Sequence, residues 1–265
     1  MSSKLNWLVN ECSPGSVVLQ QWLGQHGISH SLTQKYVQNG WLKRLSNGVF
    51  YRSQNEITAP PSWPALLSAL ISQTNTNIHL AGLSSLQHQG MSHYLALNKA
   101  STTSQAKERV WIGVENKQSL PKWFRELSAI DWVYCINKVT DQTSQTKVSI
   151  SIKGSEVIAS SPELAAYEIV SVVGKDISFE HVAELFQGLV SLSPKKVQAI
   201  LANSKSVQTN RVFLFLSHYY DHQWAKRLDE SAINLGAGKR QVVADGYYDH
   251  QYKITVPTGF KPEYE

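Results

Sequence analysis

Three stretches of this sequence set residue types at spacings that could do chemistry. The first is YVQNGWLKRLSNGVFYR, residues 36–52, where Lys43, Arg44 and Arg52 crowd around a Ser46-Asn47-Gly48 turn. Cations at that density suit phosphates, because lysine and arginine neutralise a nucleic-acid backbone and position a protein on it. The second is NLGAGKRQ, residues 234–241, which resembles a phosphate-cradling loop. It departs from the nucleotide-binding pattern twice. Ile233 stands where the first glycine belongs, and Arg240 follows Lys239 where a magnesium-binding serine or threonine is needed. What survives is a glycine-rich turn presenting Lys239 and Arg240 to an anion or RNA. The third is His218-Tyr-Tyr-Asp-His222, two histidines at i and i+4. They lack the glutamate that zinc proteases place after the first histidine, and no third ligand is evident, so no metal is expected.

Other candidates are weaker. Lys195, Lys196, Lys205 and Arg211 spread over two expected helices, either as a solvated face or as a functional basic surface. Glu163 and Glu168 are five apart and point to different faces of a helix, so they do not make a pair of acids. No Ser/His/Asp set or nucleophile elbow emerges. Catalysis has no support, and no cofactor is implied.

The bulk numbers agree with a binding protein. A chain of 265 residues has room for two domains, and 42% hydrophobic with 17% charged residues excludes a disordered one. The net charge of +5 permits a polyanionic partner. Cys12 and Cys135 form no CxxC or Cys/His spacing, which fits a reduced compartment without structural zinc. No apolar run approaches the ~18 residues of a membrane span, and the first residues lack a signal peptide's apolar core. A cytoplasmic location without membrane contact is the expectation.

The elements that must hold these residues follow from periodicity. A first helix carries Leu5, Leu8 and Val9; a second is expected over residues 17–25 behind Ser16; a third runs from Ser29 or Ser31 to about Gln38. Asn39-Gly40 stops it, and Asn47-Gly48 closes a hairpin. Three helices and a hairpin within residues 1–56 make a winged helix-turn-helix. Residues 55–61, with Pro60-Pro61, read as a linker. Residues 62–265 read as a larger mixed domain: helices near 62–72, 83–89, 161–173, 179–188, 194–203 and 210–220, and strands near 110–114, 132–136, 148–152, 241–244 and 252–256. The fold class is α+β.

In such a module the second helix of the helix-turn-helix enters the major groove. Its outward residues here would be His30, Ser31, Thr33, Gln34, Lys35 and Gln38, with Gln34 or Gln38 able to pair with adenine. Lys43, Arg44, Asn47 and Arg52 on the wing would straddle the sugar-phosphate backbone. Residues 1–60 hold five cations against Glu11 and Glu56, a net +3, and four of those cations lie on the third helix and wing. About five neutralised phosphates per copy would give a log–log salt slope of about −4 to −5. One copy makes a small interface, so paired half-sites in an inverted-repeat operator are expected.

The wing stretch, followed in order by HLAGLSSLQHQGMSHYL, LPKWF, SSPELAAYEIV, LVSLSPKKVQAIL, RVFLFLSHYYDHQW and INLGAGKRQVV…YKITVP, resembles the AbiEi antitoxins of bacterial type IV AbiE toxin–antitoxin systems. The resemblance spans nearly the whole chain. It implies a repressor that binds inverted repeats upstream of its own operon, and a C-terminal domain that counteracts a nucleotidyltransferase-like toxin in phage defence. Two routes to neutralisation stay open. A basic surface of Lys195, Lys196, Lys205, Arg211, Lys239 and Arg240 would touch the toxin's RNA or nucleotide target, or the antitoxin would bind the toxin directly. The alternatives to an antitoxin are a ligand-sensing transcriptional regulator and an RNA-modifying enzyme that reverses the toxin's action.

Overall fold

The computed structural model describes residues 4–53, 60–91, 107–127, 129–136, 138–140 and 146–261; most of the expected linker, residues 54–59, lies outside them. The chain divides into two compact units. One comprises residues 1–79, 118–130 and 149–158; the other comprises residues 80–117, 131–148 and 159–265.

The first unit opens with α1 (Lys4–Glu11), β1 (Val17–Leu19), α2 (Gln20–Gln25), α3 (His30–Gln38), β2 (Leu42–Ser46) and β3 (Val49–Arg52). This is a winged helix-turn-helix arrangement, with a sheet ordered β1-β3-β2. The single helix expected over 17–25 is corrected here: Val17, Val18 and Leu19 pair antiparallel with Tyr51, Phe50 and Val49 before α2 begins. A short apolar run reads equally as strand or helix, and pairing with β3 decides it. Leu8, Val18, Leu23, Ile28, Tyr36, Leu42 and Phe50 form the core.

The next helix, α4 (Trp63–Gln73), belongs to the same unit, as does the short α6 (Lys122–Arg125). The carboxamide of Gln73 in α4 lies along the outer edge of β1. Nε2 donates to the Val17 carbonyl at 2.8 Å, and Oε1 accepts from the Leu19 N–H at 2.9 Å. One side chain thereby satisfies the backbone groups that an edge strand leaves open.

A five-stranded sheet has the order β6-β5-β4-β8-β7, from β4 (Ile78–Leu80), β5 (Glu108–Val114), β6 (Ile130–Ile136), β7 (Lys147–Ile152) and β8 (Ser155–Ser160). Neither β4 nor β8 was legible in the sequence. Lys153 and Gly154 take φ values of 49° and 77°, the twin left-handed geometry of a tight two-residue hairpin.

The second unit is organised around α7 (Pro162–Ser171), buried along Glu163–Val170, and α10 (Val207–Tyr219), buried from Thr209 to Ser217. Ser161 caps α7 and Pro162 occupies its first turn. The Glu168 carboxylate is buried and accepts from Gly82 N–H (2.9 Å) and Ser160 Oγ (2.7 Å). Gly82 begins α5 (Gly82–His88) at φ 45°, and a Cβ there would stand 2.6 Å from the Trp111 ring. Around these pack α8 (Phe179–Gly188), α9 (Pro194–Ala202) and a small sheet of β9 (Arg240–Gln241), β10 (Tyr247–Asp249) and β11 (Ile254–Val256).

His222 is buried just after α10, its Nε2 2.7 Å from the Phe186 carbonyl and its ring stacked on Trp224. Burial outweighs the carbonyl's pull and lowers its pKa below the usual 6.5. The unfolded chain then binds a proton that the folded chain refuses, so stability present above the unfolded pKa is lost as pH falls below it. Thermal melts should show Tm falling as pH is lowered below the usual histidine pKa of 6.5, and His222→Gln should reduce that slope.

Candidate nucleic-acid interface

α3 is entered through Ser29, whose Oγ accepts from the Leu32 N–H. It leaves through Gly40 at φ 76°, where Trp41 N–H donates to the Tyr36 carbonyl (2.9 Å) and Gly40 N–H to that of Val37 (3.1 Å). This paired closure turns the chain sharply into the wing. Thr33 and Tyr36 are buried, whereas His30, Ser31, Lys35 and Gln38 are exposed and Gln34 is half-buried. At 100° per residue, positions 30, 31, 34, 35 and 38 fall within an arc of about 140°. Five of the six residues assigned to the groove therefore share one face. Thr33 does not: it is fully buried and its Oγ1 donates to the Ser29 carbonyl at 3.1 Å. Its phase, three residues before Tyr36, puts it inside.

On the wing, strand register decides which cations point where. Leu42 pairs with Arg52, Lys43 with Tyr51 and Arg44 with Phe50; a bulge between Arg44 and Ser46 resets the ladder before the turn. Opposed residues share a sheet face and successive residues alternate. Because Leu42 and Phe50 are buried in the core, Arg44 and Arg52 emerge on that helix-facing side, and Lys43 lies on the other with Tyr51.

Arg52 is consequently not a free phosphate anchor. It is half-buried, and its Nη1 donates to the Val9 carbonyl at 2.9 Å and to that of Cys12, at the C-terminal end of α1. Helix ends leave such carbonyls unpaired and favour a cation there. Arg44 is exposed, with Nη2 donating to Gln34 Oε1 at 2.7 Å and its guanidinium 5.8 Å from the Phe50 ring centre. Gln34 is thereby occupied, and its Nε2 is buried, so the two-point adenine contact expected of it is not available in this arrangement. Asn47 is exposed at the turn.

The basic residues of the second unit separate into groups. Lys195 is exposed at the start of α9, Lys205 is exposed beyond its other end, and Lys196 lies 3.9 Å from the buried Glu163. Glu163 Oε1 also accepts from the Ser193 N–H at 2.9 Å, which makes it a packing anchor for the start of α9. Arg211, expected on the surface, is 1% exposed. Its guanidinium donates to the carbonyls of Leu235 (2.6 Å), Gly238 (2.7 Å), Gly236 (3.1 Å) and Lys253 (3.3 Å). The phosphate-loop lookalike is therefore wrapped around an internal cation. Lys239 is exposed over the Tyr248 ring, and Arg240 is half-buried beside it. The two histidines diverge: His218 meets Glu230 at 2.8 Å on the surface, while His222 is buried.

Family comparison decides what these parts belong to. A model described as the N-terminal domain of AbiEi antitoxin transcriptional regulators matches residues 1–97, and one described as transcriptional regulator, AbiEi antitoxin, type IV TA system matches residues 107–257. The chain belongs to the AbiEi antitoxin family. It is thus a transcriptional regulator of a type IV toxin–antitoxin system, as the order of its sequence blocks suggested. No curated protein matches the chain at a significant level. Among solved structures, the crystal structure of RV2827C protein from Mycobacterium tuberculosis resembles it with a TM-score of 0.54 at 14% identity, covering 94% of this chain and 88% of that one. At that identity the likeness concerns the fold alone.

Two substitutions separate internal cations from surface ones. Arg52→Met should cost about 1.5–3 kcal/mol in chemical denaturation, the range for hydrogen bonds to a charged group, whereas Lys35→Ala and Lys43→Ala should each stay within about 0.5 kcal/mol of the wild type. Arg211→Met leaves four carbonyls without their donor, so limited trypsin digestion should cut after Lys239 or Arg240 at least about tenfold faster than in the wild type, matching the weight of one to two lost hydrogen bonds.

Proposed function

We propose that the chain represses its own operon by placing α3 in the major groove of an inverted-repeat operator, and that its larger part neutralises a nucleotidyltransferase-like toxin in the cytoplasm. The observation that carries the first half is the continuous polar arc of His30, Ser31, Gln34, Lys35 and Gln38 beside a wing that carries Arg44 on the side facing α3 and Lys43 on its other face. Side chains on such a helix can reach base edges while wing cations engage phosphates. Operator binding would reside in residues 1–56 and neutralisation in residues 62–265, as separable activities of one chain. For neutralisation we favour contact with the toxin's RNA or nucleotide target through the exposed Lys195, Lys205 and Lys239 and the half-buried Arg240, with Lys196 tethered to Glu163 and Arg211 serving inside. Its work would be binding and not catalysis: the acids that might have paired, Glu163 and Glu168, are buried acceptors of backbone and hydroxyl donors.

Full-length variants test both halves. Lys35→Ala with Lys43→Ala should weaken gel-shift binding to the upstream region, flatten the log–log salt slope by about two units per copy bound, and leave rescue of toxin-arrested cells intact. Lys239→Ala with Arg240→Ala should do the converse. Normal retardation by the first variant would remove the DNA assignment; a stable stoichiometric complex with the toxin would replace the target-contact route by direct binding.

A further inference from the structure

Gln34 on α3 and Arg44 on the wing, each a candidate contact to DNA, are joined to each other. The shared hydrogen bond is 2.7 Å, and the amide's orientation is set by chemistry: reversing it would point its NH2 group at guanidinium donors. Gln34 Nε2 is buried without a partner, so this side chain presents no two-point pair to a base. Arg44, by contrast, is exposed. Among the described residues only one of its five N–H donors makes a hydrogen bond, and no carboxylate forms an ion pair with it. The register puts it on the side of the wing that faces α3, next to the polar arc, whereas Lys43 takes the opposite face.

We infer that Arg44 reads the edge of a guanine in the operator's major groove, and that Gln34 is the positioning residue that holds it there. The inference rests on the DNA-binding reading above. A guanidinium fork matches guanine O6 and N7 two-pronged, the commonest specific contact of that groove, and a lysine cannot reproduce the fork. A long, flexible side chain that must meet two atoms at once gains from being held before binding: Gln34 removes one side of its rotamer freedom, and the Phe50 ring lies beneath. The phosphate role falls to Lys35 and Lys43.

The test uses full-length wild type, Arg44→Lys and Gln34→Ala, each selected against a random duplex library, then titrated on the wild-type consensus and its single-base variants. Melting curves establish that the variants are folded. The wild type should favour guanine at one position in each half-site by at least about tenfold. Arg44→Lys should cut that preference below about threefold while keeping the salt slope and the affinity for unrelated duplex, because its charge is retained. Gln34→Ala should weaken the same position's preference and no other, and should add nothing on top of Arg44→Lys. A wild-type pattern from Arg44→Lys would make Arg44 a phosphate contact and overturn the inference. Loss of preference at a different base pair in Gln34→Ala would make Gln34 a reader and overturn its positioning role. If the wild type enriches no sequence, the winged-helix DNA assignment itself fails, an outcome distinguishable from both.

Discussion

Backbone carbonyls that no helix or strand can pair constrain both units, and in each an arginine answers them. Arg52 reaches beneath the wing to the end of α1, tying the first helix of the winged module to its last strand. Arg211 gathers carbonyls from Leu235, Gly236, Gly238 and Lys253, converting a glycine-rich segment without regular structure into a defined loop. A guanidinium suits this work because its donors diverge within a plane, so one side chain satisfies acceptors from several directions. The charge that looked available to an outside polyanion is in these two cases spent on carbonyl dipoles inside the molecule.

Much of the fold was open to reading from the residues. The capped third helix, its Asn39-Gly40 stop, the Asn47-Gly48 turn and the Ser161-Pro162 start of α7 are local signals, decided by a few neighbouring side chains and reproduced in the structure. The misses share a cause. Val17–Leu19 became a strand because β3 lies beside it, and Ser155–Ser160 returned as a hairpin strand through Lys153-Gly154, which carries a weaker turn signature than Asn-Gly. Pairing across distance is not written in any short window.

The candidate surface divides along the same line. Which α3 residues face outward follows from helical phase; of the six expected on that face, Thr33 alone is buried. Which wing residues do so depends on register, and the bulge between Arg44 and Ser46 makes that register invisible before the ladder is seen. A count of cations therefore reads every charge of the wing as outward, whereas Arg52 is internal and Arg44 is coupled to Gln34 across ten positions of sequence. For Arg211 the composition of a two-helix basic surface was equally misleading, since nothing in residues 194–220 announces that carbonyls from 235–253 will converge on it.

The carboxamide of Gln73 has a corollary for how copies of this protein assemble. By occupying both Val17 and Leu19 it seals one margin of the β1-β3-β2 sheet against any foreign strand. On the inverted-repeat operator proposed above, two molecules would be denied the simplest zipper, main chain to main chain along β1, and would have to meet through other surfaces or through the DNA between them. Symmetry in the complex would then be imposed by the spacing of the operator more than by a pre-formed β-ribbon.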